Sequence, residues 1–377
     1  MNQETPPQPK SPSPLRLGDE GKLNMKMLFE HAGTIGASDL IITAGAPPTV
    51  RVDGDLHHVL ETSLKPEMTK RLIWSLLNET QQEMFERNRE LDFSLAVTGN
   101  LRFRANVYYQ KGAVAGAFRL IPREIPSLSK LGLPPIVKEL TLRLKGLILV
   151  TGPTGSGKST TQAAMIDLIN TMQRCHIVTI EDPIEYVHTD KKSIVDQREV
   201  YADTLSFANA LKYVLRQDPD VILVGEMRDM ETISAALTAA ETGHLVIATL
   251  HTNDAVQSID RIIDVFPPHQ QSQIRVQLAF SLIGVIAQQL IPRANDEGRI
   301  LATEILIKNY AVGTHIREAK THQTRSTMET SKGEGMITMD NRLKELYEAR
   351  KITYDELARH VSSPAFLKQV RLSKSKY

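Results

Sequence analysis

One cysteine, Cys175, stands in 377 residues. A lone thiol forms no disulfide within the chain, and a cysteine-built metal cluster is excluded. Cys175 sits on an apolar run, where a small buried hydrophobe is the expectation. Aromatics are sparse at 5%. A stacking surface for single-stranded nucleic acid needs them interleaved with basic residues. Excess charge is missing too, because 45 Lys and Arg face 44 Asp and Glu. Such a balance lacks the generally basic surface that nucleic acid attracts, so no nucleic-acid partner is expected. No apolar run is long enough to span a bilayer, and the polar, proline-rich start is unlike a signal peptide. The expectation is a cytoplasmic protein that can still dock on a membrane complex.

What is present is a phosphate loop. Gly152-Pro153-Thr154-Gly155-Ser156-Gly157-Lys158-Ser159 reads G-x-x-x-x-G-K-S. Glycines let backbone N–H groups close around phosphate oxygens, the lysine places a cation at the β/γ-phosphates, and the Ser159 hydroxyl can hold Mg²⁺. The context agrees. The apolar run 146–151 before it suits a buried parallel strand, and 160–172 after it has helical composition without a breaker. Strand, glycine loop and helix N-terminus together make an anion site.

The length suggests two or three domains. Residues 1–22 read as a disordered tail, with Pro6, Pro7, Pro9, Pro12 and Pro14 among polar residues. Residues 23–125 read as a small α+β domain. Leu23 to Ala32 and Pro66 to Phe85 are expected as amphipathic helices, 40–43 and 49–52 as strands, and Asp53-Gly54 as a turn. Leu101 to Gln110 and Ala113 to Ile121 are expected as a hairpin around Lys111-Gly112, carrying Arg102, Arg104 and Arg119. Surface arginines are ordinarily solvated, yet an arginine on a hairpin can reach a neighbour's γ-phosphate. A proline-rich linker covers 126–135, a stiff hinge by composition. Residues 136–300 read as an α/β layer around a parallel sheet, and 301–377 as a helical C-terminal region with amphipathic helices over 338–360.

Four polar clusters follow four apolar runs in the 136–300 stretch. These are the phosphate loop, Glu181-Asp182-Pro183-Ile184-Glu185, Gly225-Glu226, and His251-Thr252-Asn253. In a parallel sheet the strand carboxyl ends share one edge, where ligands bind. The pattern therefore places all four around one triphosphate. Hydrolysis needs charge neutralisation and an aligned water. Lys158, with Mg²⁺ on Ser159, meets the first need. Glu226, straight after a strand, polarises the water or holds Mg²⁺ through one. Gly225 stands where many such ATPases have an aspartate, and Glu185, Glu181 and Asp182 are the carboxylates that can compensate. At least one of these three is expected to be structural. His251 and His244 flank the fourth run and are candidates for sensing the γ-phosphate through a neutral ring.

These motifs resemble those of the secretion ATPase superfamily, and within it the type IV pilus retraction ATPases of the PilT type. The resemblance covers about residues 25–350. Gly152 to Thr160 reads GPTGSGKST, Thr179 to Glu185 reads TIEDPIE, Asp218 to Asp229 reads DPDVILVGEMRD, and Ala240 to Ala255 reads AETGHLVIATLHTNDA. Ala37-Ser38-Asp39-Leu40 and Arg51-Val52-Asp53-Gly54 fit the family's N-terminal domain. It implies a PAS-like domain followed by a RecA-like ATPase domain with a helical extension. It also implies a homohexamer that binds ATP and Mg²⁺ between domains, with Arg104, Arg119 and Thr160 at the nucleotide. The implied work is pilus retraction at the inner face of the cytoplasmic membrane, against a platform protein and beside a paralogous retraction ATPase.

The paired C-x-x-C cysteines common in assembly ATPases are absent. Ala311 to Glu318 reads AVGTHIRE where the retraction family carries A-I-R-N-L-I-R-E. An accessory PilU-type retraction ATPase, an assembly or type II secretion ATPase, a RecA-like nucleic-acid motor and a low-turnover nucleotide-dependent scaffold stay open as alternatives.

Overall fold

The computed structural model describes residues 23–52, 54–97, 101–121, 124–295, 298–362, 366–368 and 370. The stretch expected to be a disordered tail and Asp53 of the expected turn lie outside them. The described chain divides into two compact units, one ending at 121 and one starting at Glu124.

The first unit opens with α1 (Met25–Thr34), which Asn24 starts by accepting the Met27 N–H at 3.0 Å. Met25, Leu28, Phe29 and Ala32 share the buried face of α1, at the spacing a helix requires. Then come β1 (Asp39–Ile42), β2 (Thr49–Val52), β3 (Asp55–His58), α2 (Pro66–Trp74), α3 (Glu79–Asn88), β4 (Glu90–Val97), β5 (Leu101–Gln110) and β6 (Ala113–Leu120). The strands form one antiparallel sheet in the order β3-β2-β1-β6-β5-β4. Phe29 packs on Phe103 and Phe118, with ring centroids 4.4 and 5.2 Å away. The 66–85 stretch is two helices rather than one. Asn78 and Gln81 form a reciprocal capping box that starts α3 afresh. The expected hairpin forms as read. Lys111 and Gly112 both have positive φ, as a two-residue turn between twisted strands demands.

The second unit holds α4 (Pro135–Thr141), β7 (Gly146–Thr151), α5 (Lys158–Met172), β8 (His176–Glu181), β9 (Ile194–Glu199), α6 (Phe207–Val214) and β10 (Val221–Val224). It continues with α7 (Met230–Glu241), β11 (Leu245–Leu250), α8 (Ala255–Asp264), α9 (Pro268–Ser281), β12 (Leu282–Pro292) and β13 (Arg299–Ile307). The sheet order is β13-β12-β7-β11-β10-β8-β9, parallel throughout except for β13. Both faces are covered, as the continuous apolar runs require. Leu147, Leu149 and Val246 look into one core with α7, α8 and α9, while Ile148, Val150 and Ile247 look into another with α5. The 126–135 stretch is no bare hinge. Leu128, Leu131 and Leu133 pack into the α5 side of the core.

The sheet also runs further than expected. β13 carries it into the 301–377 stretch expected to be helical, and that stretch is helical only from α10 (Tyr310–Arg317) onward. The remaining helices are α11 (Thr324–Thr330), α12 (Met339–Glu348) and α13 (Tyr354–His360). Leu343, Leu346 and Leu357 pack on Ile291 and Ala302 of the sheet edge, so the amphipathic faces of 338–360 are core-facing.

Candidate active site

The phosphate loop spans the gap between Thr151, the last residue of β7, and Lys158, the first of α5. No side chain caps α5, so its first-turn N–H groups are open to an anion. Gly152 has φ +141°. A Cβ there would collide with the Gln288 carbonyl and lie 2.6 Å from Ser156 Oγ. Only glycine lets the loop approach β12 this closely. Lys158 Nζ is folded back onto the loop, donating to the carbonyls of Gly152 at 2.8 Å and Pro153 at 3.1 Å. Burial pulls the Lys158 pKa down, while the charges of Glu226 and Glu185 pull it up, and the net is a lowered value. Ser159 is half-buried beside it. Thr160 Oγ1 is hydrogen-bonded to the Tyr186 hydroxyl at 2.9 Å.

The four strand ends share one edge, because β7, β11, β10 and β8 are adjacent and parallel. Glu226 leaves β10 two residues after Val224. Its Oε1 is 2.9 Å from His251 Nε2 and 2.6 Å from Arg228 Nε. Burial raises the Glu226 carboxyl, but the hydrogen bond from Arg228 and the charges of His251, Arg228 and Lys158 outweigh it. The group is held below the usual carboxylate value and is ionised at neutral pH. Gly225 is tightly packed. A Cβ there would lie 3.1 Å from the Ile180 carbonyl and 3.3 Å from Glu181 Cα. An aspartate, common at that position, would need these neighbours to give by a few tenths of an ångström, and Thr249 Oγ1 donates to the Gly225 carbonyl from β11.

The three candidate carboxylates after β8 diverge. Glu185 is exposed and its charge is felt at Lys158. Asp182 is exposed, and its charge reaches Arg228. Glu181 is engaged within the fold. It accepts from Thr179 Oγ1 at 2.7 Å and Gln197 Nε2 at 3.1 Å, and burial lifts its pKa against those bonds.

His244 does not join the site. It precedes β11, so a full strand separates it from the phosphate edge of this subunit. Its ring Nδ1 meets the Ala239 carbonyl at 2.9 Å and Thr242 Oγ1 at 3.3 Å. The sequence puts a histidine at each end of one apolar run, and only His251 stands at the strand edge that carries the phosphate loop.

Arg104 and Arg119 belong to the first unit. They pair directly across β5 and β6, and Arg119 pairs with Asp39, which pairs with Arg51. One sheet face thus presents Arg51, Asp39, Arg119 and Arg104 in a row. Arg119 Nε donates to Asp39 Oδ1 at 2.9 Å, and Arg104 is exposed. Like charges directly opposite cost stability, so a row with three guanidiniums and one carboxylate suits an added anion. Arg102 donates instead to Ser94 Oγ at 2.8 Å.

Residues 22–370 match the family described as type II/IV secretion system protein. The chain belongs to this family. Its PilT-type branch is the near kin. The type IV pilus retraction ATPase PilT of Pseudomonas aeruginosa is 49% identical over 86% of this chain and 94% of its own length. The type IV pilus ATPase PilU of the same organism is 43% identical over 87% and 86%. A crystal structure of the pilus retraction motor PilT with bound ADP superposes with a TM-score of 0.86 at 51% identity, over 92% of this chain and all of that one. The protein is accordingly a PilT-type secretion ATPase, with a PAS-like α+β unit and a RecA-like P-loop unit. Among the described residues, no helix is long and apolar enough to cross a membrane.

Two partners escaped the sequence reading. Arg228 braces Glu226, and its signal was the Glu-Met-Arg spacing. Tyr186 reaches Thr160 from just past the acidic cluster, and no sequence pattern announces it.

Proposed function

We propose that this chain is the subunit of a homohexameric motor that hydrolyses Mg²⁺-ATP at the phosphate loop to power type IV pilus retraction. One observation carries the reading. The ionised Glu226 lies within hydrogen-bond reach of His251, in the field of Lys158, at the strand-end edge beside a phosphate loop.

Lys158 leaves the Gly152 and Pro153 carbonyls to neutralise the β/γ-phosphates, and the open N–H groups of α5 take the remaining phosphate charge. The donor set suits a hard cation, with the Ser159 hydroxyl beside the loop and Glu226 to hold a water of its shell. Bound Mg²⁺ supplies charge neutralisation at the phosphates. Glu226 orients and polarises the attacking water. Arg228 and His251 fix its carboxylate from two sides. Arg104 and Arg119 complete the site of a neighbouring subunit by adding positive charge where negative charge develops. The motor docks on a platform protein at the inner face of the cytoplasmic membrane.

Glu226→Gln in the purified protein tests the chemical half of this reading. ADP and ATP binding should persist while phosphate release falls by about 10²-fold or more. Undiminished release would remove Glu226 from the mechanism.

A second reading is favoured by one observation. Ala311 to Glu318 departs from the retraction motif, and α10 buries Val312, Gly313 and Ile316 there. An accessory PilU-type role would follow, and deletion of the chain would then leave retraction intact wherever a paralogue is present.

A further inference from the structure

Gln288 lies on β12 directly beneath the phosphate loop. It is fully buried, and neither its amide nitrogen nor its amide oxygen has a partner among the described residues. Its cross-strand neighbour on β13 is Thr303, also buried and with an unpartnered Oγ1. Alternation puts Gln288 on the α5 face of the sheet, with Ile286 and Leu290. Its nitrogen lies 3.9 Å from where a Cβ would stand on Gly157. Its own carbonyl fills the space where a Cβ would stand on Gly152. One residue therefore abuts both end glycines of the loop. Ser156, inside the loop, is buried with its hydroxyl likewise unpartnered.

A buried carboxamide without partners is costly, and an apolar side chain of its shape would serve the core better. We infer that Gln288 is a positioning residue for the phosphate loop, whose amide gains its partners from loop groups only when nucleotide phosphate is bound. When Lys158 turns to the phosphates, it releases the Gly152 and Pro153 carbonyls it holds in this structure. The loop must then re-form its hydrogen bonds, and Gln288 is the unspent donor and acceptor beside it. Part of the nucleotide's affinity comes from satisfying this side chain. The inference rests on the reading that the loop holds the phosphates.

The test replaces Gln288 by an apolar residue of similar volume, Gln288→Met, with Gln288→Leu as a second shape should the first misfold. Thermal unfolding is measured without nucleotide, and Kd for fluorescent ADP by titration of the full chain. The nucleotide-free variant should melt at or above the parent's temperature, while Kd weakens by about tenfold, the worth of one well-made hydrogen bond. Thr303→Val, which removes the unpartnered hydroxyl across the strand, should raise stability and leave Kd unchanged. An unchanged Kd in both Gln288 variants overturns the inference. So does a loss of nucleotide-free stability, since the amide would then already be paired in that state. Lys158→Ala separates the two levels. If it still binds ADP normally, the phosphate-loop reading itself fails. If it loses ADP while the Gln288 variants bind normally, only the role of Gln288 fails.

Discussion

Glu226 is held from two sides, by His251 and by Arg228. Both lower its pKa, Arg228 through a hydrogen bond and its charge, His251 through its charge. His251→Ala leaves Arg228 and Lys158 to keep Glu226 ionised, so it should lower turnover less than Glu226→Gln. A second histidine carries a pH signature. Burial takes His188 down to about 4, with Lys191 pushing the same way and Asp167 opposing. Between pH 6.5 and about 4, the unfolded chain takes a proton there that the folded chain refuses. Stability is thus fully present above pH 6.5 and declines as pH falls toward 4, by roughly 3 kcal/mol at the limit. His188→Gln removes that slope. Denaturant unfolding at pH 7.5 and 4.5 checks it, and equal losses in parent and variant would show that His188 is not the source.

At the scale of elements, Glu304 on β13 fastens two helix starts to the sheet. One oxygen accepts the Ala255 N–H of α8 at 2.8 Å, and the other accepts the Met339 N–H of α12 at 3.1 Å. α8 begins just after the His251-Thr252-Asn253 loop, so this buried carboxylate anchors the helix that follows that loop. Glutamine can accept only one of the two bonds and turns its NH₂ on the other donor. Glu304→Gln should cost about 1–3 kcal/mol and lower Tm by several degrees. An unchanged melting curve would mean that the two N–H groups find other acceptors. The sequence hid this element, because β13 straddles residue 300 and leads straight into the helices of the C-terminal stretch. β7, β8, β10 and β11 were legible, since strands buried on both faces read as unbroken apolar runs. β9 carries Asp196, Arg198 and Glu199, and β4 opens with Glu90 and Asp92, so neither reads as an unbroken apolar run. The split of 66–85 was equally hidden, because Asn78 reads as an ordinary polar helix residue until Gln81 is seen to answer it.

On the scale of the whole molecule, the phosphate-binding residues and the arginine row belong to different units. The shared strand edge was legible, since topology alone gathers the ends of parallel strands. The row Arg51, Asp39, Arg119, Arg104 was not, because it needs the register of β2, β1, β6 and β5. If the arginines serve a neighbour's site, Arg104→Ala and Glu226→Gln subunits should complement when mixed, each supplying what the other lacks. Mixed rings with no more hydrolysis than either parent variant would contradict an inter-subunit role. Retraction is tested most directly by replacing the chromosomal gene with its Glu226→Gln form and counting surface pili. Excess pili with lost surface motility is the result expected of a retraction motor. Bald cells would contradict it and make the chain an assembly ATPase.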